Sequence, residues 1–167
     1  KLRKDLNIKL IRGNVDTRIK KLKEGEYDAI LLASAGMKSL DLENKITQFF
    51  STSEIIPSAG QGIIALQCRK SDNEIIELLK KINHKHTHFC ALAERNVLKI
   101  LEGDCETAVG VHAKINDNEI ELDAELFSLD GTKRYNEKKI GIIESAEKLG
   151  LEVGINLKKR SKDLYKK

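Results

Sequence analysis

A chain of 167 residues, 40% hydrophobic and 34% charged, has the balance of a soluble globular protein, with room for one domain or two small ones. No apolar run approaches the ~18 residues of a membrane span, and no secretory signal is visible. Three cysteines, Cys68, Cys90 and Cys105, form neither a disulfide framework nor a paired C-x-x-C zinc pattern, so a reducing, cytoplasmic setting is expected.

The net charge of +4 gathers in "KLRKDLNIKLIR" and "LKKRSKDLYKK", while aromatic residues, at 4%, offer little for base stacking. A solvated basic surface is preferred over nucleic-acid binding, and anionic small molecules remain open as partners. Residue 1 is lysine and a strand-like "IKLI" follows almost at once, so the chain is expected to begin within a domain, with an unpartnered first edge.

"NIKLIRG" reads as a short strand ending at Gly13. "NVDTRIKKLKEGEY" reads as a helix that Asn14 or Asp16 caps and Gly25 ends, and "DAILLAS" as a buried strand. Strand, helix and apolar strand predict an α/β unit with a parallel sheet, whose ligand loops follow the strand ends, here "RGN" and "SAG". "STSEIIPSAGQG", residues 51–62, holds the only proline and reads as a crossing segment. "IIALQCR" is a further strand, and "DNEIIELLKKIN" a helix behind an Asp72 cap, with Ile75, Ile76, Leu79 and Ile82 expected to pack on a sheet.

"HTHFCALAERNVLKILEG" carries Phe89, Leu92, Ala93, Val97, Ile100 and Leu101 on one side and predicts an amphipathic helix stopping at Gly103. Three strands follow. Val109, Val111, Ala113 and Ile115 alternate inward in the first, and Ile120, Leu122, Ala124 and Leu126 alternate against Glu and Asp in the second. "NDN" and "DG" supply the turns, and "TKRYNEKKI" reads as a polar edge strand. A closing helix near "ESAEKLGLEVGINLKKR" contains Gly150 and Gly154, which weaken it or mark close packing. From about residue 85 onward the pattern is α-β-β-β-α, an antiparallel three-stranded sheet with helices on one face.

Among residues that can carry chemistry, Arg12 stands at the mouth of the first helix and Arg18 about one turn inside. Helix-start amides and planar guanidinium forks both suit carboxylate or phosphate, and a surface arginine flanking a turn is the equal alternative. Ser34 to Gly36 and Gln61 either offer amides to a ligand or simply make tight turns. His84, His86 and His88 lack a carboxylate or cysteine at metal-binding spacing and are expected to be solvated, with no metal site. Cys68 and Cys90 read as small core residues, and His112 as an outward-facing strand residue. In "LEGDCETAVG", Cys105 lies among Glu102, Asp104 and Glu106, which oppose formation of a thiolate. A protease-like nucleophile is a poor match there, and the spacing alone leaves either an inert loop thiol or some other use.

Together, "RGNVDTRIKKLKEGEYDAILLASAGMKSL", "IIPSAGQGIIALQCR" and "ALAERNVLKILEGDC" resemble hydroxymethylbilane synthase, also called porphobilinogen deaminase, in their order and separation. The resemblance implies a transferase of tetrapyrrole biosynthesis that joins four porphobilinogen molecules head to tail, with release of ammonia, on a dipyrromethane cofactor. It aligns Cys105 with the cysteine that anchors this cofactor through a thioether. A permanent anchor of that kind needs no standing thiolate. Arg12 and Arg18 fall on arginines that bind acetate and propionate groups, Ala33 and Gly36 would line the same cleft by their backbone, and Gln61 would lie by an interdomain hinge.

The same resemblance implies three segments. Residues 1–56 are the latter part of a periplasmic-binding-protein-like α/β second domain, 57–84 a hinge and returning segment of the first domain, and 85–167 a cofactor-bearing α+β third domain. The expected partners are porphobilinogen, the growing oligopyrrole and the family's amino-terminal portion, with no nucleic acid or membrane, and the full-length family enzyme is expected to be a monomer. The family's catalytic aspartate belongs to that amino-terminal portion, so this chain alone is expected to be inactive or nearly so. Ser39 stands where the family usually has an arginine, which leaves one carboxylate contact open, and "CETAVG" lacks a proline often found three residues after the cysteine. A non-catalytic pyrrole- or anion-binding module with the same fold is the alternative, and a small basic RNA-binding domain a more distant one. Exposed strand edges are expected to promote aggregation or partner capture.

Overall fold

The computed structural model describes residues 5–102 and 107–166. The chain divides into a unit that ends at Phe50 and a unit that begins at Ser51.

In the first unit, α1 (Val15–Lys23) starts from Asn14, held in the extended region, with Asp16 in its first turn and Lys20, Lys21 and Lys23 in its last. Those charges complement the helix dipole at both ends. Gly25 takes φ +78° and donates to the Leu22 carbonyl, while Glu26 donates back to Lys21, so the expected glycine stop is formed. A shorter helix, α2 (Ser34–Ser39), buries Met37.

"NIKLIRG" and "DAILLAS" form no β-ladder, and their alternating side chains stay open to solvent, with Ile8 85%, Leu10 78% and Leu31 69% exposed. "IIALQCR" in the second unit behaves alike, with Ile64 89% exposed. The expected buried strands and parallel sheet do not form among the described residues. A strand exists only as a pairing, and among the described residues none of these runs forms a ladder with a neighbouring strand. The helix α3 (Asn73–Ile82) forms where expected, with the Asp72 side chain accepting from the Ile75 N–H. Its apolar face does not pack on a sheet, since Ile75, Leu78 and Ile82 are exposed.

The rest of the second unit follows its pattern. After α4 (Lys85–Leu101), strands β1 (Val109–Asn116), β2 (Glu119–Phe127) and β3 (Arg134–Ile142) form an antiparallel sheet in the order β1-β2-β3, and α5 (Ala146–Ser161) closes it. The pairings Val111 with Ala124 and Leu122 with Lys139 fix the register. Val111, Ala113, Ile120, Leu122, Ala124 and Leu126 thereby face Ala93, Val97 and Leu101 of α4 and Leu149, Val153 and Leu157 of α5 in one core. The other face carries charge ladders, with Glu121 bridging Lys114 and Lys138 and Arg134 paired to Glu125.

Gly150 and Gly154 mark close packing. A Cβ on Gly150 would lie 2.2 Å from the Ala93 carbonyl oxygen, and one on Gly154 would lie 2.8 Å from Ile100 Cβ. The helix α4 ends at Leu101, with Glu102 in the left-handed region at φ 54°. The expected stop at Gly103 lies outside the described residues.

Candidate functional site

The first unit presents two helix starts side by side. Gly13 turns the chain into α1 with φ +118°, and any Cβ there would meet Thr17 at 2.9 Å, so the "RG" turn requires glycine. Arg18 folds back, and its Nε donates to the Gly13 carbonyl at 2.8 Å. Arg12 is exposed and pairs with nothing among the described residues. Ala33 is the cap residue of α2 and accepts from the Gly36 N–H at 3.1 Å. The Cβ position of Gly36 stands 4.0 Å from Val15 Cγ2, which sets the first turn of α2 against the first residue of α1. Arg12, Arg18, Ala33 and Gly36 are thus gathered at adjoining helix starts. That donor set of one free guanidinium, one backbone-braced guanidinium and helix-start amides suits carboxylate groups. Ser39 turns inward on its own helix, donating to the Ala35 carbonyl at 3.0 Å.

In the second unit, Gln61 is exposed between Gly60 at φ +77° and Gly62 at φ +79°, and its N–H closes a turn on the Ser58 carbonyl at 3.0 Å. The next residue inward leads to a group that the sequence reading missed. Glu94 of α4 is 4% exposed, and its carboxylate accepts from the Gly60 N–H at 2.7 Å and the Ala113 N–H at 2.8 Å. His112 Nδ1 stands 3.8 Å away. Burial pushes the Glu94 carboxyl up, against the opposing pull of those two amides and of His112. The signal in the sequence was its place on the row Cys90, Glu94, Val97 and Leu101, which is the buried side of the helix. Burial, then Glu94, also push the Cys90 thiol up, so Cys90 is no ready thiolate.

Cys105 lies outside the described residues, and the described residues on either side of that segment are firmly tied. Leu101 is fully buried, and its carbonyl accepts from the Tyr165 hydroxyl at 2.9 Å. The Glu102 carboxylate receives Lys158 at 3.0 Å and Lys166 at 3.1 Å, and these lysines hold its carboxyl below the usual range. Beyond the segment, the Ala108 carbonyl accepts from Phe127 at 3.0 Å. One of the three carboxylates flanking Cys105 is therefore already matched by lysine charge.

His84 caps α4, its Nδ1 lying 2.7 Å from Thr87 Oγ1, while the rings of His86 and His88 lie edge-on to His84 and Phe89. Among the described residues no group of three or more His, Cys, Asp or Glu side chains is arranged to hold a metal, and no helix is long and apolar enough to cross a membrane.

Two family models match the chain. One, described as porphobilinogen deaminase, dipyromethane cofactor binding domain, covers residues 1–77, and the other, described as porphobilinogen deaminase, C-terminal domain, covers residues 88–159. The chain is 44% identical over 156 residues to a porphobilinogen deaminase of Coxiella burnetii (strain Dugway 5J108-111), an alignment covering 93% of this chain and 51% of that protein. It is 38% identical over 157 residues to a porphobilinogen deaminase of Syntrophobacter fumaroxidans, covering 94% and 51%. It is also 38% identical over 165 residues to one of Nitrobacter hamburgensis, covering 99% and 52%. The chain spans about half the length of the curated relatives it matches.

Proposed function

The chain belongs to the porphobilinogen deaminase family, and from that premise we propose that it serves tetrapyrrole biosynthesis as the carboxy-terminal part of a hydroxymethylbilane synthase. The reaction is the head-to-tail joining of four porphobilinogen molecules with release of ammonia. The observation that carries this reading is the succession of both family matches, with Arg12, Arg18, Ala33, Gly36 and Gln61 in the first and Cys105 in the second.

A dipyrromethane, when bound, supplies the primer on which the pyrrole chain is held. The residues here would do the holding. Arg12, which pairs with nothing among the described residues, offers both edges of its guanidinium to acetate or propionate groups. Arg18 offers the nitrogens that its bond to Gly13 leaves over, the backbone at Ala33 and Gly36 lines the same cleft, and Gln61 sits at the hinge. Cys105 would hold the group through a thioether, and the lysine-matched charge of Glu102 would lower the opposition to the thiolate that such an attachment requires. Residues 1–56, 57–84 and 85–167 are assigned to the second domain, the hinge with the returning part of the first, and the third.

In the whole enzyme the runs at residues 7–13, 28–34 and 63–69 are assigned as strands of periplasmic-binding-protein-like sheets that the rest of the family chain completes. Their exposed apolar side chains support this. The aspartate that stabilises charge as ammonia leaves is assigned to the other half, so these residues by themselves turn over little porphobilinogen. The working enzyme is taken as a cytoplasmic monomer without nucleic-acid or membrane partners.

The test is an intact-mass spectrum with peptide mapping around Cys105 and a pyrrole colour reaction, on the chain assembled with an amino-terminal family portion. A dipyrromethane on Cys105, lost together with activity in Cys105→Ser, is the expected result. Cofactor and activity that survive Cys105→Ser would overturn the assignment.

A further inference from the structure

The outer edge of β1 has backbone N–H groups that a fourth strand would normally take. Instead, the Val111 N–H donates to the Pro57 carbonyl at 2.7 Å, and the Ala113 N–H donates to the Glu94 carboxylate at 2.8 Å. The other oxygen of the same carboxylate takes the Gly60 N–H at 2.7 Å. Gly110 admits the segment, since a Cβ there would stand 2.5 Å from the Ile56 carbonyl oxygen, and Ala59 packs against the core.

We infer that Glu94 is a positioning residue, a clamp that fastens residues 56–60 along the β1 edge and so fixes the direction in which the chain leaves toward Gln61. The carboxylate does what no neutral side chain of this length does, because each of its two oxygens accepts one of two backbone N–H groups from different elements. Being 4% exposed, it gives those amides no competing water. Releasing Glu94 frees the crossing segment and bares two edge amides while the sheet and its helix pair stay folded. The inference deepens the proposed function in one respect, resting on that reading for the statement that residue 61 lies at a hinge. The clamp itself is independent of pyrrole chemistry.

The experiment is backbone amide exchange by NMR on the 167-residue chain, comparing wild type with Glu94→Ala, Glu94→Gln and Gly110→Ala. In Glu94→Ala, protection at Gly60 and Ala113 falls by about 10- to 100-fold, the loss of a charge-assisted hydrogen bond, while Leu122 and Ala124 in β2 keep theirs. Glu94→Gln retains one acceptor oxygen and spares one of the two amides. Gly110→Ala leaves Glu94 untouched yet displaces Ile56, and it speeds exchange at Gly60. Unchanged protection at Gly60 in both Glu94→Ala and Gly110→Ala would overturn the clamp, and so would a uniform loss across β2 and α5. Because the readout needs no cofactor, the clamp can fail while the pyrrole assignment stands, and the reverse.

Discussion

The Tyr165 hydroxyl donates to the Leu101 carbonyl across 64 residues of sequence, and it ties the end of the chain to the last residue of α4. Both residues are almost fully buried, so the bond is shielded from water. Tyr165→Phe keeps the ring and leaves that carbonyl unsatisfied, and it is expected to cost about 1–3 kcal/mol. Urea unfolding followed by far-ultraviolet circular dichroism measures it. A midpoint identical to wild type would mean that the carbonyl finds another donor.

Gly150→Ala is expected to destabilise the second unit by about 1–3 kcal/mol, the cost of forcing a methyl group against packed backbone. The methyl group would collide with the Ala93 carbonyl oxygen, which no rotamer change can relieve. Ordinary helix propensity predicts the opposite sign, since alanine is the better helix former. The direction of the change in melting temperature decides between them.

Glu94 makes stability depend on pH in an unusual sense for a carboxylate. Burial raises its native pKa above the unfolded value of 4.5, so unfolding favours the ionised form. Its contribution is therefore full below the unfolded pKa and is lost as pH rises through the native one. Glu94→Gln is expected to flatten this part of the profile, read from urea midpoints taken between about pH 4 and 8. Parallel profiles for the two proteins would show that the carboxyl titrates normally.

Arg12 and Arg18 are expected to separate stability from binding. Arg12→Ala leaves the melting temperature unchanged, because the side chain has no partner among the described residues. Arg18→Ala loosens the first helix start by about 1 kcal/mol or less, through loss of its bond to the Gly13 carbonyl. On the proposed function, Arg12→Ala is expected to raise KM for porphobilinogen in the assembled enzyme. A large drop in melting temperature for Arg12→Ala would place it among structural residues instead.

From α4 onward the second unit was legible because its alternation is strict. Ile120, Leu122, Ala124 and Leu126 are separated by charged or polar residues, and slipping by one residue would bury those instead. The Asp72 cap was legible for a similarly local reason, while Gly150 and Gly154 stay open between a weakened helix and close packing until Ala93 and Ile100 are seen against them. The runs at residues 7–13, 28–34 and 63–69 were not legible, since an apolar run such as "DAILLAS" records a preference for burial and says nothing of which backbone will pair with it. Glu94 escaped notice because a single charge beside a helix stripe looks like a surface residue until two amides from distant segments are seen to converge on it. The lysine pairing of Glu102 was not legible, because Lys158 and Lys166 lie 56 and 64 residues from it.

The two glycines of α5 also settle how the second unit can deform. Ala93 and Ile100 sit against bare backbone at Gly150 and Gly154, so sliding either helix along its axis would drive a side chain into the other's main chain. Slippage between α4 and α5 is thereby blocked, as between two notched rods.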